Sequence, residues 1–418
     1  MTQPPTRLTL ATDRYERLAQ IRDCFPQATG PDLAETWQGG RQMALQRLSA
    51  IDAVAYGRSR NHLDGSVTRL SPYLRHGCLS LQEAINTIQQ DFGAQGIKLI
   101  AELSYRDYFR QVWYRFGDAI QQPLEPSKVI PGENSLPEFI GQGFTGLVCM
   151  DEIARALQQE GYVHNHARMW FAAYVLHWLK VDWRQAADWF EQHLLDGDLA
   201  SNHLSWQWIA SSFSHKPYYF NKENIIKFGG QRWCQQCRVR CPFDASYEAL
   251  EQQLFTTSSG AKTTLPNVVT RAAHPQQADD LSQAAKANTL VWLHDEMLSP
   301  EHPLLTTKGA VAFVFDPALY GQWPLKRLQF MADCLSEIPQ AEIWMGSTNE
   351  VLAGLSQEQI ISQETPNTAI KAVVKDARLT WIKEPSLYNT SFSDHELMRF
   401  SRYWKKVEPL VFAETHAG

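Results

Sequence analysis

LLDGDLASNHLSWQWIAS, residues 194–211, sets two acids, Asp196 and Asp198, an amide, Asn202, and two tryptophans, Trp206 and Trp208, along one short stretch. Positions i and i+2 of a helix point to different sides, so one indole can face inward to a cofactor while the other faces a cleft. Two core tryptophans are the plainer use of the same residues. The acids can also serve as metal ligands, but no second carboxylate pair accompanies them, and HNHARM at 164–169 supplies Arg168 as an ion-pair partner. A metal at the two acids is therefore the lesser use.

Outward from this stretch the apolar residues keep a helical period. Trp183, Ala187, Phe190 and Leu194 share one stripe, and Trp170, Tyr174 and Trp178 another, within a helix expected over His166 to Val181. Further upstream, Met150 to Gln159 ends at Gly161, and Leu99, Leu103, Arg106, Phe109, Trp113 and Phe116 fall near one face. Ser80 with Glu83 has the spacing of a capping box, and Leu48, Ile51 and Ala55 begin the pattern. Residues 1–255 therefore read as an all-helical domain. Residues 256–287 are polar and Pro- and Gly-punctuated, as a linker is. Beyond them Thr289–Leu293, Val311–Phe315, Ile343–Trp344 and Leu379–Ile382 read as strands, with helices at Leu325–Ile338 and Asn349–Leu355. That alternation predicts a small parallel α/β, Rossmann-like domain over 288–418.

The 418 residues suit two or three domains, and 44% apolar with 20% charged residues is ordinary for a folded protein. No run reaches the roughly 18 apolar residues of a membrane helix. The opening residues carry no export leader, and seven cysteines without a disulfide spacing pattern read as reduced, so a cytoplasmic location is expected. A net charge of −6 argues against a surface that binds polyanions everywhere, and leaves room for a small groove driven partly by stacking. Nine of the 14 tryptophans precede residue 240, four of them between Trp183 and Trp208. Such density is core filling or a demand for flat rings.

Two further clusters carry polar chemistry. In YGRSRNHLDGSVTRLSPYLRHGCLS, 56–80, a turn at Asp64-Gly65 leads to Ser66, Thr68, Arg69 and Ser71, hydroxyl and guanidinium donors suited to an oxyanion. Cys234, Cys237 and Cys241 form C-x2-C-x3-C, three thiols where structural zinc and iron–sulfur sites want four ligands. The fourth can be Cys24, Cys78, Cys149, Cys334 or a histidine, and free thiols or a redox pair are the alternative.

DGSVTRLSPYL, ELSYRDYFR at 102–110, HNHARM, DWR at 182–184 and DGDLASNHLSWQW together resemble the flavin domain of the photolyase/cryptochrome family, in its order and spacing over roughly 40–220. The resemblance implies FAD folded into a U. Tyr56, Thr68, Arg69, Leu70 and Ser71 would line its phosphate and ribityl chain, with Arg106 assisting. Asp196 and Asp198 match the acids near the flavin ring and adenosine, with Arg168 the partner of the first, and Asn165 joins the cofactor's surroundings. Asn202 matches the residue facing the flavin N5. Trp206 and Trp183 match the first two members of an electron-transfer chain; the third is not found, and Phe139 stands where many relatives carry another Trp.

For function, the resemblance implies light-driven splitting of cyclobutane pyrimidine dimers. Glu102, Asn165, Met169 and Trp208 match the residues around a flipped-out dimer, and such enzymes extrude the lesion. Relatives acting on (6–4) lesions have histidines where this chain has Asn165 and Met169. Tyr105 stands where dimer photolyases commonly have a second stacking Trp, which points to single-stranded rather than duplex damaged DNA as the easier substrate. A cryptochrome-like photoreceptor and a flavoprotein that binds single strands without repair are the rival readings. TLVWLHDEMLSPEHPLL at 289–305 and SFSDHELMRFSRYWKKVEP at 391–409 resemble the start and end of the family's sheet domain, which implies a circular permutation and leaves the antenna chromophore open. No membrane partner is expected, and the chain is expected to be a monomer.

Overall fold

The computed structural model describes residues 4–255, 277–278, 288–306 and 309–412. The chain forms two compact units: Met1–Ala50, Arg69–Ala84 and Ala272–Leu387 in one, Ile51–Thr68, Ile85–Arg271 and Tyr388–Gly418 in the other. The expected linker at 256–287 lies outside the described residues except for Gln277–Ala278, which form a short strand.

The first unit is built on a seven-stranded sheet: β1 Thr6–Leu8, β2 Gln277–Ala278, β3 Thr289–Leu293, β4 Ala310–Phe315, β5 Ala341–Met345, β6 Gln359–Gln363 and β7 Leu379–Ile382. Their order across the sheet is β1-β5-β4-β3-β6-β7-β2. β3 to β7 and β2 are parallel, and β1 runs antiparallel to β5 with Thr6 opposite Met345. The sheet is therefore mixed. TLVWL in β3 is buried at every position and AVAFVF in β4 at all but the first, the continuous apolar pattern of strands covered on both faces. Helix Leu325–Ser336 connects β4 to β5 and lies against helix Arg14–Cys24. Arg14 and Arg17 of that helix hold the buried Asp333 at 3.1 and 3.0 Å.

Three expectations are corrected here. The first 255 residues are not all helical, because Thr6–Leu8 adds an edge strand; three residues are too few to display a period. The packing units also depart from a 1–255/288–418 division, since residues 1–50 join the sheet and 388 onward joins the helices. A helical period tells that a face is buried but not which layer buries it. β6, QIISQ, was not expected: its polar ends hide a core of Ile360 and Ile361, which pair with β3 and β7.

The second unit is helical. Its core joins Trp170, Phe171, Phe190, Phe220 and Phe243, none more than 2% exposed, from helices Asn165–Ala173 and Trp183–His193 and the segments after them. Gly161 closes helix Val148–Glu160 at φ 72°, a left-handed cap that suits glycine. The helix expected from His166 to Val181 is α-helical only to Ala173 and continues as a π-helix, Tyr174–Trp178. The wider turn shifts the stripe by one residue, and such turns gather at functional places.

Candidate functional site

Helix Leu199–Ile209 organises the site. Asp198 caps it, accepting from Ser201 N at 2.8 Å, and takes Arg106 Nη2 at 3.4 Å from helix Ile97–Phe116. Asp196, 8% exposed, accepts from Arg168 Nη2 through both oxygens at 2.9 and 3.1 Å, while Arg168 Nε donates to the Val163 carbonyl at 2.8 Å. Each buried acid thus meets a guanidinium, which removes the cost of an isolated charge. Four residues on from the cap, Asn202 donates to the Ala187 carbonyl at 2.8 Å and accepts from Trp206 Nε1 at 3.2 Å.

The two tryptophans separate as their spacing predicts. Trp206 is buried against Phe190, ring centroids 5.7 Å apart, whereas Trp208 is 42% exposed and leans on Tyr218 at 5.5 Å. Trp183 is buried and edge-on to His203.

Glu102 takes Lys98 Nζ at 2.7 Å and Arg60 Nε at 3.3 Å, so its carboxylate is held among cations. Met169 is half-buried and packs on the core, and Asn165 opens its helix behind the His164 cap. Burial raises the Tyr56 phenol above its usual range, keeping it a neutral hydroxyl. Tyr56 and Thr68 belong to the helical unit, and Arg69, Leu70 and Ser71 to the sheet unit. Arg69 has φ 51°, a left-handed backbone rare outside glycine, and Leu70 is fully buried.

Tyr105 is not the open platform that its position suggested. Phe400 stacks on it, centroids 3.4 Å apart and planes 13° apart, and Trp404 continues the stack at 6.0 Å. Both belong to helix Phe400–Val407, placed by the sequence reading in the sheet domain. Phe400 and Trp404 were missed as site residues. The signal was the aromatic spacing in RFSRYWKK, 399–406, whose partner is almost 300 residues away.

All seven cysteines are free. Cys149 is buried beside half-buried Cys234 and Cys241 of the same core, and its thiol is pushed up by burial and then by the nearby Cys237, Cys234 and Cys241. Among the described residues no group of three or more His, Cys, Asp or Glu stands ready to hold a metal ion, so the expected ligand set Cys234, Cys237 and Cys241 is not assembled as such. Cys149 lies 85 residues before Cys234, and no local spacing singled it out.

The donor set suits FAD. The Arg106 guanidinium can take its phosphates, two buried carboxylates can take its N–H and hydroxyl groups, and the Asn202 amide has a second proton beyond the bond to Ala187. Among the described residues no helix is long and apolar enough to cross a membrane.

The family described as the FAD binding domain of DNA photolyase matches residues 99–284. The chain is 33% identical over 195 residues to the deoxyribodipyrimidine photo-lyase of Streptomyces griseus, covering 46% of this chain and 42% of that one. It is 34% identical over 217 residues to the cryptochrome DASH of Xenopus laevis, covering 48% and 41%. The solved structure of the Synechocystis sp. PCC6803 cryptochrome covers 56% of this chain and 54% of its own at 25% identity and a TM-score of 0.45. The chain spans about half the length of the curated relatives it matches.

Proposed function

For a chain that belongs to the photolyase/cryptochrome family through its FAD-binding domain, we propose light-driven splitting of cyclobutane pyrimidine dimers, on single-stranded in preference to duplex DNA. The observation that carries the proposal is the pair on helix Leu199–Ile209: Trp206 buried and bonded to Asn202, Trp208 exposed two residues on. One indole serves the cofactor side and the other offers a stacking face to a base, worth about 1–3 kcal/mol.

When bound and reduced, FAD supplies the photoexcited electron that opens the cyclobutane ring and then recovers it. The residues of the chain bind and orient. Arg168 and Asp196 hold a fixed pair of charges, Asn202 presents an amide that can donate or accept, and Arg106 and Thr68 of the helical unit take the phosphate. Glu102, paired with Lys98 and Arg60, accepts from base edges, and Met169 gives a soft apolar contact. Trp206 and Trp183 pass electrons inward to reduce the cofactor.

The preference for single strands is supported by Tyr105, a smaller ring than Trp with one face given to Phe400. The same contact favours a second reading, a blue-light photoreceptor without repair. The sheet unit is read as a Rossmann-like antenna-type domain whose strands β2 to β7 follow the flavin-domain residues in the chain, a reading supported by the parallel pairing of those strands. The four thiols Cys149, Cys234, Cys237 and Cys241 are read as a metal or iron–sulfur site formed when they turn to a common centre, supported by their mutual proximity. Unchanged metal content in Cys149→Ser would remove that reading.

Repair of a defined thymine dimer under blue light, by protein carrying chemically reduced FAD, tests the main proposal on single and double strands. Chemical reduction bypasses the tryptophans. Repair on the single strand is expected; binding of FAD with repair on neither form would replace the lyase by the photoreceptor.

A further inference from the structure

The loop 211–217 follows helix Leu199–Ile209, lies within the helical unit and holds none of the residues assigned to the cofactor or the dimer. Its first four residues, Ser211 to Ser214, are buried, and only its tip, His215 and Lys216, is exposed. A polar loop ordinarily runs over the surface, so burying three serines to present two basic side chains needs a cause.

The cause is a set of hydrogen bonds that fixes the loop on both sides. Ser212 N and Phe213 N donate to the Gln207 carbonyl at 3.0 and 3.2 Å. From the facing segment Lys128 N donates to Ser211 Oγ at 3.0 Å, and Glu125 N to the Ser212 carbonyl at 2.8 Å. Ser214 Oγ lies 2.8 Å from the Trp208 carbonyl and 2.8 Å from the Lys216 carbonyl, so the backbone of the tip sits beside that of the exposed indole. Tyr218, on which Trp208 leans, closes the loop with its N–H on the Ile209 carbonyl at 3.3 Å. Ser211 has φ 62°, a conformation that costs about 1–3 kcal/mol and persists only where the surroundings over-determine it.

The tip is oriented as well as exposed. Arg399 takes both oxygens of Glu125 at 2.8 Å and donates through Nε to His215 Nε2 at 3.3 Å. Arg399 is thereby engaged, and it positions the tip. An accepting Nε2 puts the ring's proton on Nδ1, which leaves an N–H donor at the surface. Lys216 enters no ion pair among the described residues. An unpaired ammonium and an imidazole N–H beside an indole that is 42% exposed make a local cationic spot in a chain of net charge −6.

A single strand alternates flat bases with anionic phosphates, and an aromatic face with a cation at its side matches that alternation. We propose that His215 and Lys216 form a clamp for one phosphodiester of a single strand, next to the base that stacks on Trp208. The inference rests on the single-strand reading above and adds to it the group that holds the backbone. A phosphate contact carries no sequence information and sets the register of the strand on the indole.

Titration of the full-length, FAD-bound chain in the dark tests the clamp. The probes are a dimer-containing single strand and copies in which one phosphodiester at a time, across the dimer and two linkages to either side, is replaced by an uncharged methylphosphonate. One such linkage is expected to weaken wild-type binding about fivefold. Lys216→Met keeps the stem and removes the charge; it is expected to lose the same factor on the ordinary strand, with a salt slope shallower by about 0.7 and an unchanged melting curve. That linkage should then cost the variant nothing further, as for two ends of one contact. Wild-type affinity and slope in Lys216→Met, no sensitive linkage in the wild type, or losses that simply add overturns the clamp while leaving the single-strand reading in place. Absence of strand binding by the wild type overturns both.

Discussion

Arg168 and Asp196 show how single residues set the electrostatics of the site. Asp196 is buried, and its partner is 24% exposed at the side chain, so solvent screens part of the attraction while the acid still depends on it. Arg168→Leu is expected to cost about 1–3 kcal/mol in urea denaturation and to lower the FAD content of purified protein. An unchanged midpoint would show that Asp196 finds another donor. At Trp206 the relevant bond is its Nε1–H to Asn202. Trp206→Phe keeps the ring's place in the core, and is expected to slow photoreduction of bound FAD while leaving repair by chemically reduced protein. Normal photoreduction in this variant would remove Trp206 from the electron path.

At the scale of elements, helix Phe400–Val407 brings its aromatic face to helix Ile97–Phe116. Phe400 stacks on Tyr105, Tyr403 donates to Asp107, and Tyr108 donates to the Leu397 carbonyl at 2.8 Å. Phe400→Ala removes a stack worth about 0.5–1.5 kcal/mol beyond its buried area, so a lower melting temperature is expected. It also uncovers Tyr105, and binding to a dimer-containing single strand is expected to tighten several-fold in a salt-matched titration. Weaker binding would mean that Phe400 itself touches the strand. The sequence showed both helices as aromatic-rich, yet their contact was hidden because a stripe names a sticky face and not its partner.

For the whole molecule, three buried histidines link stability to pH. Burial leads the causes at His76, His177 and His302, whose pKa values fall from 6.5 to about 3, 4 and 4. Their folded values lie below the unfolded one, so as pH drops below 6.5 the unfolded chain takes up protons first and stability falls. Urea midpoints are expected to decrease from pH 7 to pH 5, each histidine contributing up to about 1.4 kcal/mol per pH unit in that window. His76 and His302 belong to the sheet unit and His177 to the helical unit, so transitions of both should move. A midpoint flat over that range would contradict the burial of these rings.

What the sequence determined by itself was local. The i, i+2 tryptophans, the acids and asparagine one helical turn apart, and the five blocks of family resemblance are all written in short stretches, because helical geometry converts spacing directly into facing. The β3, β4 and β7 runs were legible for the same reason: a strand covered on both faces must be apolar throughout. Tertiary structure alone decided the rest. It gave Thr6–Leu8 to the sheet, seated Phe400 on Tyr105 and gathered Cys149 with the later thiols. Each of these joins residues tens to hundreds of positions apart, and a chain's local periodicity carries no information about which distant surface will exclude water from it.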